Sequence, residues 1–444
     1  MTMESENEKI PNCKDFGKNI KRKYLLGGRR MRIPSKEVLM HVYGNSDEST
    51  ARFQELAKQF KIHYGNKDME FFTSPGRTEL IGNHTDHNGG KVIAASINMD
   101  TIAAVAQNDT NVISIISEGY EEEIRIDVTK LALIPKNQGT LSLVAGILEA
   151  AKHLGVDIKG FDVYVTTNVI SSAGVSSSAS FEMLLCSIIN YFFSKNQLNC
   201  IDYAKMGQYA ENKFWNKASG LLDQMACAVG GTILLDFAEG VKYEILDFSF
   251  EQTEYDFFII NTGKGHADLS NEYSKVSQEM KLVANKMGVP LLSKGRLSDL
   301  VENLSKIESN ISNDRAFLRA FHFFEENERV DKAVNAIQRS NMAELILLMQ
   351  ESGDSSFQWL QNCYCSWNEL EQKIPLTLAL TKMFIKEIGS GCCRVHGGGF
   401  CGVIMSVIPK SESNNYLTFI SRFMKREDIH CIQIRKTGAF HLQK

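Results

Sequence analysis

From Phe71 to Asp236 two kinds of apolar run alternate along the chain, and that alternation decides which folds are open to it. The short runs KVIAASINM, TIAAVAQ, VISIISE, EEIRIDV and FDVYVTT are rich in β-branched residues and have the length of sheet strands. The longer ones read as helices. FEMLLCSIINYFF has the length and apolar content of a buried helix, and NCIDYAKMGQYAENKFW carries Tyr203, Met206, Ala210 and Phe214 at helical spacing behind a cap at Asn199. A third helix, LLDQMACAV, opens after Ser219-Gly220 and closes at Gly230-Gly231, before the strand TILLDF. This half of the chain is therefore mixed α and β.

Beyond about residue 240 the pattern changes. A strand, YDFFIINT, leads into a long helical region through HFFEENERVDKAVNAIQRSNMAELILLMQ. Helix PLTLALTKMFIKEIG, a glycine-rich turn, strand GVIMSVIP, helix SNNYLTFISRFMKRE and strand IHCIQIR follow. A chain of 444 residues can bury two cores, so the change predicts two domains, 36–238 and 239–444. Residues 1–35 read as a polar lead-in, a solvated arm or first helix, ending in the basic KRKYLLGGRRMRIP.

A hydrophobic share of 43% and a charged share of 23% exclude a disordered chain. The formal charge of -4 supplies no basic footprint for nucleic acid, although an anionic small molecule needs only a few local donors. The ten cysteines are scattered or nearly adjacent, which suits reduced thiols better than a disulfide framework, and no paired C-x-x-C marks a structural zinc site. The polar N-terminal stretch lacks an apolar leader and no run has the length of a membrane span, so a cytoplasmic protein with no membrane partner is expected.

Three polar segments stand out. NVISSAGVSSSASFE lies between a strand and a helix, where small residues let backbone N–H groups face an anion and hydroxyls can serve a hard cation, although a serine-rich capping loop looks the same. GSGCCRVHGGGFCG contains G-x-G-x-x-G at Gly397, Gly399 and Gly402, but a helix precedes it and a strand follows, the reverse of a dinucleotide fingerprint. PGRTELIGNHTDHNGG crowds Arg77, Glu79, Asn83, His84, Asp86 and His87 among glycines, a set of directional donors and acceptors suited to a ligand rich in hydroxyls. Acidic residues on helices are usually solvated. Asp223, however, falls in the first turn of a mostly apolar helix, where the helix dipole favours its charged form.

Together these segments resemble the galactokinases of the GHMP small-molecule kinase superfamily, from about Phe71 to the end of the chain. PGRTELIGNHTDHNGG is similar to the family signature, AGVSSSASFE to its phosphate loop, GLLDQMACAVGG to the segment bearing its catalytic aspartate and RVHGGGFCG to its C-terminal glycine motif, in the family's order. The resemblance implies an α/β (α+β) fold of two domains with the active site in the cleft between them. It implies ATP-dependent phosphorylation of galactose at the anomeric hydroxyl with ATP and Mg2+. Asp223 and Arg77 would be catalytic, Asn83, His84, Asp86 and Tyr273 would contact the sugar, and Ser178 and Glu211 would bind the metal. Ser172, Ala173, Gly174, Ser176, Ser177 and Ser178 would hold the phosphates, with Gly397, Gly398 and Gly399 closing over them.

The match has departures. Asn83 and His87 stand where the family has glutamate and tyrosine, Val395-His396 precede the triple glycine, and Cys401 replaces a glycine. The family's glutamate meets the sugar's carbon-six hydroxyl, so a neutral Asn83 opens the alternative of a carboxylated acceptor such as galacturonate. Some relatives are silent sugar sensors, a third reading, but the phosphate loop and Asp223 that those proteins usually lose are both present.

Overall fold

The computed structural model describes residues 33–170, 174–217, 219–263, 269–308, 312–365, 370–400 and 402–443. Ser172 and Ala173, like Cys401 and most of the polar lead-in, lie outside the described residues.

An eight-stranded sheet dominates the first half. Its strands are β1 (Glu70–Ile81), β2 (Lys91–Gln107), β3 (Val112–Ser117), β4 (Ile124–Asp127), β5 (Phe161–Thr167), β6 (Thr232–Asp236), β7 (Lys242–Leu246) and β12 (Phe440–Leu442). A second sheet of four strands runs in the order β11 (Ile429–Ile432), β8 (Tyr255–Asn261), β10 (Val403–Pro409), β9 (Cys392–Val395). Every pairing is antiparallel except β3 with β5, which makes the fold α+β.

The helices are α1 (Lys36–Tyr43), α2 (Ser46–Tyr64), α3 (Gly139–His153), α4 (Ser177–Phe193), α5 (Cys200–Lys213), α6 (Leu222–Val229) and α7 (Ser270–Lys286). They continue with α8 (Leu297–Glu302), α9 (Leu304–Glu308), α10 (Asp314–Gln338), α11 (Met342–Ser355), α12 (Lys373–Ile388) and α13 (Ser413–Ile420). On one face of the large sheet α3 to α6 bury Leu148, Met183, Ile189 and Met206 against Phe72, Val105 and Val163. On the other, α1 and α2 bury Leu39, Phe53, Leu56 and Phe60 against Phe71, Ile102 and Tyr164. A third core joins the two sheets: Leu80, Ile81 and Ile93 pack with Phe257 and Ile259 of β8, Met405 of β10, Val330 of α10 and Met349 of α11.

One sequence expectation changes. KVIAASINM and TIAAVAQ are one strand, because Asp100 between them is not a turn residue: its buried carboxylate receives Arg52, Arg435 at 2.9 Å and Thr73 at 2.6 Å. β2 bends there instead, pairing with β6 over Lys91 to Ala95 and with β5 from Thr101 onward. The signature motif is half strand, since β1 runs buried through Ile81, with register shifts between Pro75 and Arg77 and between Glu79 and Ile81. From beyond the expected boundary at 238–239, β7 and β12 both hydrogen-bond into the large sheet. Among the described residues no helix is long and apolar enough to cross a membrane.

Candidate active site

Arg77 sits in the irregular part of β1, and Asp223 in the first turn of α6. Arg77 Nε donates to Asp223 Oδ1 at 2.8 Å, Nη2 lies 2.7 Å from the same oxygen, and Nη1 donates to the carbonyl of Gly174. Ser176 Oγ donates to Asp223 Oδ2. Strand, serine loop and helix are thus tied at one carboxylate. Burial alone would push Asp223 up, but Arg77 first, then Lys217 and Ser176, hold it below the usual carboxylate range. Its side chain keeps 31% of its exposure while that of Arg77 keeps 7%, so the aspartate is the member that faces outward.

The serine loop is pinned by its backbone. Val175 O accepts from Arg77 N at 3.1 Å, and a Cβ at Gly76 would lie 2.7 Å from that carbonyl, so the strand approaches closely only without a side chain. Ser176 enters α4 with a φ of 61° and makes no side-chain cap, its hydroxyl being held by Asp223. The first N–H groups of α4 therefore have no capping side chain, and they carry the positive end of a long helix. Ser177 and Ser178 lie half-buried in that turn.

Asp86 approaches the same place. A Cβ on Gly220, just ahead of α6, would come within 2.1 Å of Asp86 Oδ2. Burial, with a contribution from Asp223, raises the Asp86 carboxyl to about 6. Beside it, His84 Nε2 is 2.8 Å from the carbonyl of Gly398, which can only accept. That fixes the tautomers: His84 Nδ1 accepts from His87 Nε2 at 3.4 Å, and His87 Nδ1 accepts from Asn88 Nδ2 at 3.0 Å. Burial drives His84 down to about 4 and His87 well below its ordinary value, so both rings are neutral.

Asn83 is engaged wholly inside the protein. Its side chain is fully buried, with Nδ2 donating to Glu79 Oε1 at 2.9 Å and Gly397 O at 2.6 Å, and Oδ1 accepting from Asn362 at 2.8 Å and Ser356 at 3.2 Å. An amide has no further capacity, so in this arrangement Asn83 braces the glycine turn. Tyr273 meets the same turn: its hydroxyl donates to Gly399 O at 2.9 Å, and its ring occupies the space a Cβ on Gly398 would need, 2.3 Å away. Asn83, His84 and Tyr273 thus each hold one carbonyl of the glycine turn, and Gly397 lies beside Arg77 and Gly174.

Glu211 on α5 is 1% exposed, with Oε1 2.6 Å from Lys217 Nζ and Oε2 receiving Gln224 Nε2 at 3.1 Å. Gln224 also donates to Glu182, at 3.1 Å. Burial, then Glu211, pushes the Glu182 carboxyl well above the usual range, and Glu182 Oε1 has no hydrogen-bond partner among the described residues. Ser178 stands one helical turn before Glu182 on α4, and Gln224 joins Glu182 to Glu211, so hydroxyl and carboxyl oxygens are the donors offered here, a type that fits magnesium, which takes one or two carboxylates and completes its shell with phosphates and water.

Sequence reasoning missed Lys217, Glu182 and Gln224 here, and Glu326, Arg394 and Asn362 behind the glycine turn. Lys217 lies in a loop with no periodicity to mark it. Arg394 had a signal: a cation inside the short apolar strand β9 must be paired, and it donates to Leu80 O at 2.9 Å and Glu79 Oε1 at 3.1 Å.

Comparison with known proteins agrees with this arrangement. Residues 58–107 match the galactokinase galactose-binding signature and residues 142–231 the N-terminal domain of GHMP kinases. The galactokinase of Clostridium tetani is 30% identical over 381 residues, covering 82% of this chain and 92% of its own. That of Fusobacterium nucleatum is 30% identical over 382 residues, with 84% and 94% covered. Among solved structures, Lactococcus lactis galactokinase complexed with galactose superposes with a TM-score of 0.76 at 24% identity, covering 87% of this chain and 98% of that one. Methanococcus jannaschii mevalonate kinase gives 0.59 at 16% identity, with 84% and 100% covered. With curated relatives matched over most of their length, and with its signature, serine loop and helix-borne aspartate joined at one carboxylate, the chain belongs to the galactokinase family.

Proposed function

We propose that this cleft transfers the terminal phosphoryl group of ATP to the anomeric hydroxyl of galactose, giving galactose 1-phosphate and ADP. The observation that carries the reading is Asp223: an outward-facing, ionised carboxylate fixed on one side by Arg77 and on the other by the serine that opens α4. Such a group accepts a hydrogen bond from an incoming hydroxyl. Held below the ordinary carboxylate range it is a weak base, so its first task is to orient the hydroxyl and its second to take the proton as the phosphoryl bond forms. Arg77 keeps the carboxylate in place and, through Gly174, fixes the loop that receives the phosphates.

Gly174, Ser176, Ser177 and Ser178 would hold the phosphates with the backbone of that loop, and Gly397 to Gly399 would close from the opposite side. Glu211 and Ser178 would hold magnesium, which when bound neutralises charge on the transferring group. Asp86, charged at neutral pH, is the sugar-side acceptor. His84, a neutral ring, positions the glycine turn and presents its edge to the sugar. The buried thiols among the described cysteines suit a reducing cytoplasm.

The galacturonate reading needs Asn83 to meet the acceptor's carbon-six group, and Asn83 is bonded inside the protein, so galactose is the better-supported acceptor. A panel of galactose, galacturonate and glucose with magnesium and ATP, read by phosphorus NMR, tests this. Galactose 1-phosphate is the expected product. Turnover of galacturonate with none of galactose replaces the acceptor, and sugar binding without ADP formation replaces the enzyme with a sensor.

A further inference from the structure

We propose that Lys217 is the built-in counter-ion of the metal site: its ammonium neutralises Glu211 in the nucleotide-free enzyme and yields the carboxylate when magnesium and nucleotide enter. Glu211 is buried beside Gln224, which it shares with the carboxyl of Glu182, a setting in which a charge is unfavourable without a cation. The loop after α5 supplies one. Lys217 N donates to Glu211 O at 3.0 Å, turning the chain back over its own helix, and Lys217 Nζ lies 2.6 Å from Glu211 Oε1. Gln224 links Glu211 to Glu182 and directly follows Asp223 on α6, so three carboxyl groups lie near this ammonium.

Two features make this cation exchangeable. Its side chain keeps 48% of its exposure, against 1% for Glu211, so the ammonium has a path to water that the carboxylate lacks. It also leaves the cluster incompletely bonded, since Glu182 Oε1 and Gln224 Oε1 have no partner among the described residues. A lysine is a monovalent point charge on a flexible stem, strong enough to hold one carboxylate oxygen and weak enough to give way to a divalent ion carried by a polyphosphate. Once released, the ammonium lies beside the phosphates whose charge the metal only partly cancels.

The proposal rests on the metal–nucleotide reading of this cleft, and its test separates the two. Mn2+ is titrated by electron paramagnetic resonance into the purified protein with saturating ADP, where no turnover occurs, for wild type, Lys217→Gln and Lys217→Arg. Removing the competing charge should tighten Mn2+ binding about tenfold in Lys217→Gln, while the bidentate guanidinium of Lys217→Arg should weaken it by a similar factor. Melting temperatures add a second readout: Lys217→Gln should melt below wild type without metal, and the gap should close with Mn2+ and ADP. Mn2+ affinity unchanged or weakened in Lys217→Gln overturns the proposal, as does a melting gap that persists when metal and nucleotide are bound. Wild-type protein that binds no Mn2+ with ADP overturns the metal–nucleotide reading itself, and the proposal with it.

Discussion

Two dense polar clusters lie back to back across the signature motif, and they differ in what they leave unfinished. Behind Gly82, Asn83 has every side-chain valence filled, and Glu326 receives the N–H groups of Gly82 and Asn83 at 2.9 and 3.1 Å together with Ser352 and Arg329. Burial opposes its charge, yet His322, Arg329 and Arg394 bring Glu326 down to about 2. In front, Asp223 is partly exposed, Asp86 is raised to about 6, and the helix start at Ser176 lacks a side-chain cap. Both clusters are rich in charge, but the first keeps only the buried Asn362 Oδ1 and Arg394 Nε unbonded among the described residues, whereas the second opens its carboxylate and an uncapped helix start toward a ligand. A crowded polar motif is therefore not one site: the chain divides it into a brace and a working face within a few residues.

Breaking the working face should give the largest kinetic effect. Arg77→Met removes the partner of Asp223 and frees the Gly174 carbonyl; kcat should fall on the order of a thousandfold, a loss of about 4 kcal/mol. A stopped-time ADP assay checks it.

Breaking the brace should appear in stability first. Asn83→Ala leaves Glu79, Gly397, Asn362 and Ser356 short of partners in a buried setting, and urea unfolding should show a loss of about 2 to 4 kcal/mol. Were Asn83 a sugar contact, KM for galactose would rise with little change in unfolding. Tyr273→Phe deletes one hydrogen bond to the glycine turn and should lower stability by about 1 kcal/mol while raising KM for ATP a few-fold. The comparison can also be sharpened by pH. Asp86 has a folded pKa raised to about 6, so its charged form is disfavoured by folding, and its contribution destabilises the protein progressively as pH rises from its unfolded value toward 6. Activity moves oppositely: kcat/KM for galactose should fall as pH drops through about 6 and the sugar-facing carboxylate gains a proton.

Much of the working face was legible in the sequence because its signals are local. A lone aspartate in the first turn of an apolar helix and a strand–serine–helix junction each have a bland reading, but both are short segments whose order along the chain can be read, and the cap at Asn199 forms a full capping box. The brace was not legible, because its partners come from α10, from the turn at Ser356 to Leu360 with Asn362, and from β9, all remote in the chain. Asn83 reads as a ligand group until Asn362 and Ser356 are placed against it. The two runs KVIAASINM and TIAAVAQ read as separate segments for the same reason: only Arg52 and Arg435, from opposite ends of the chain, hold the intervening Asp100 inside one strand. Lys217 had no pattern to betray it, since a loop lysine is ordinarily solvated.

The most direct test replaces Asp223 by Ala and measures two quantities on one preparation: phosphoryl transfer to galactose by phosphorus NMR, and galactose affinity by calorimetry. A thousandfold or greater loss of transfer with affinity within a few-fold of wild type is expected for a carboxylate that acts on the reacting hydroxyl. Transfer within tenfold of wild type would contradict the account, because the chemistry would then not pass through the carboxylate that Arg77 and Ser176 hold.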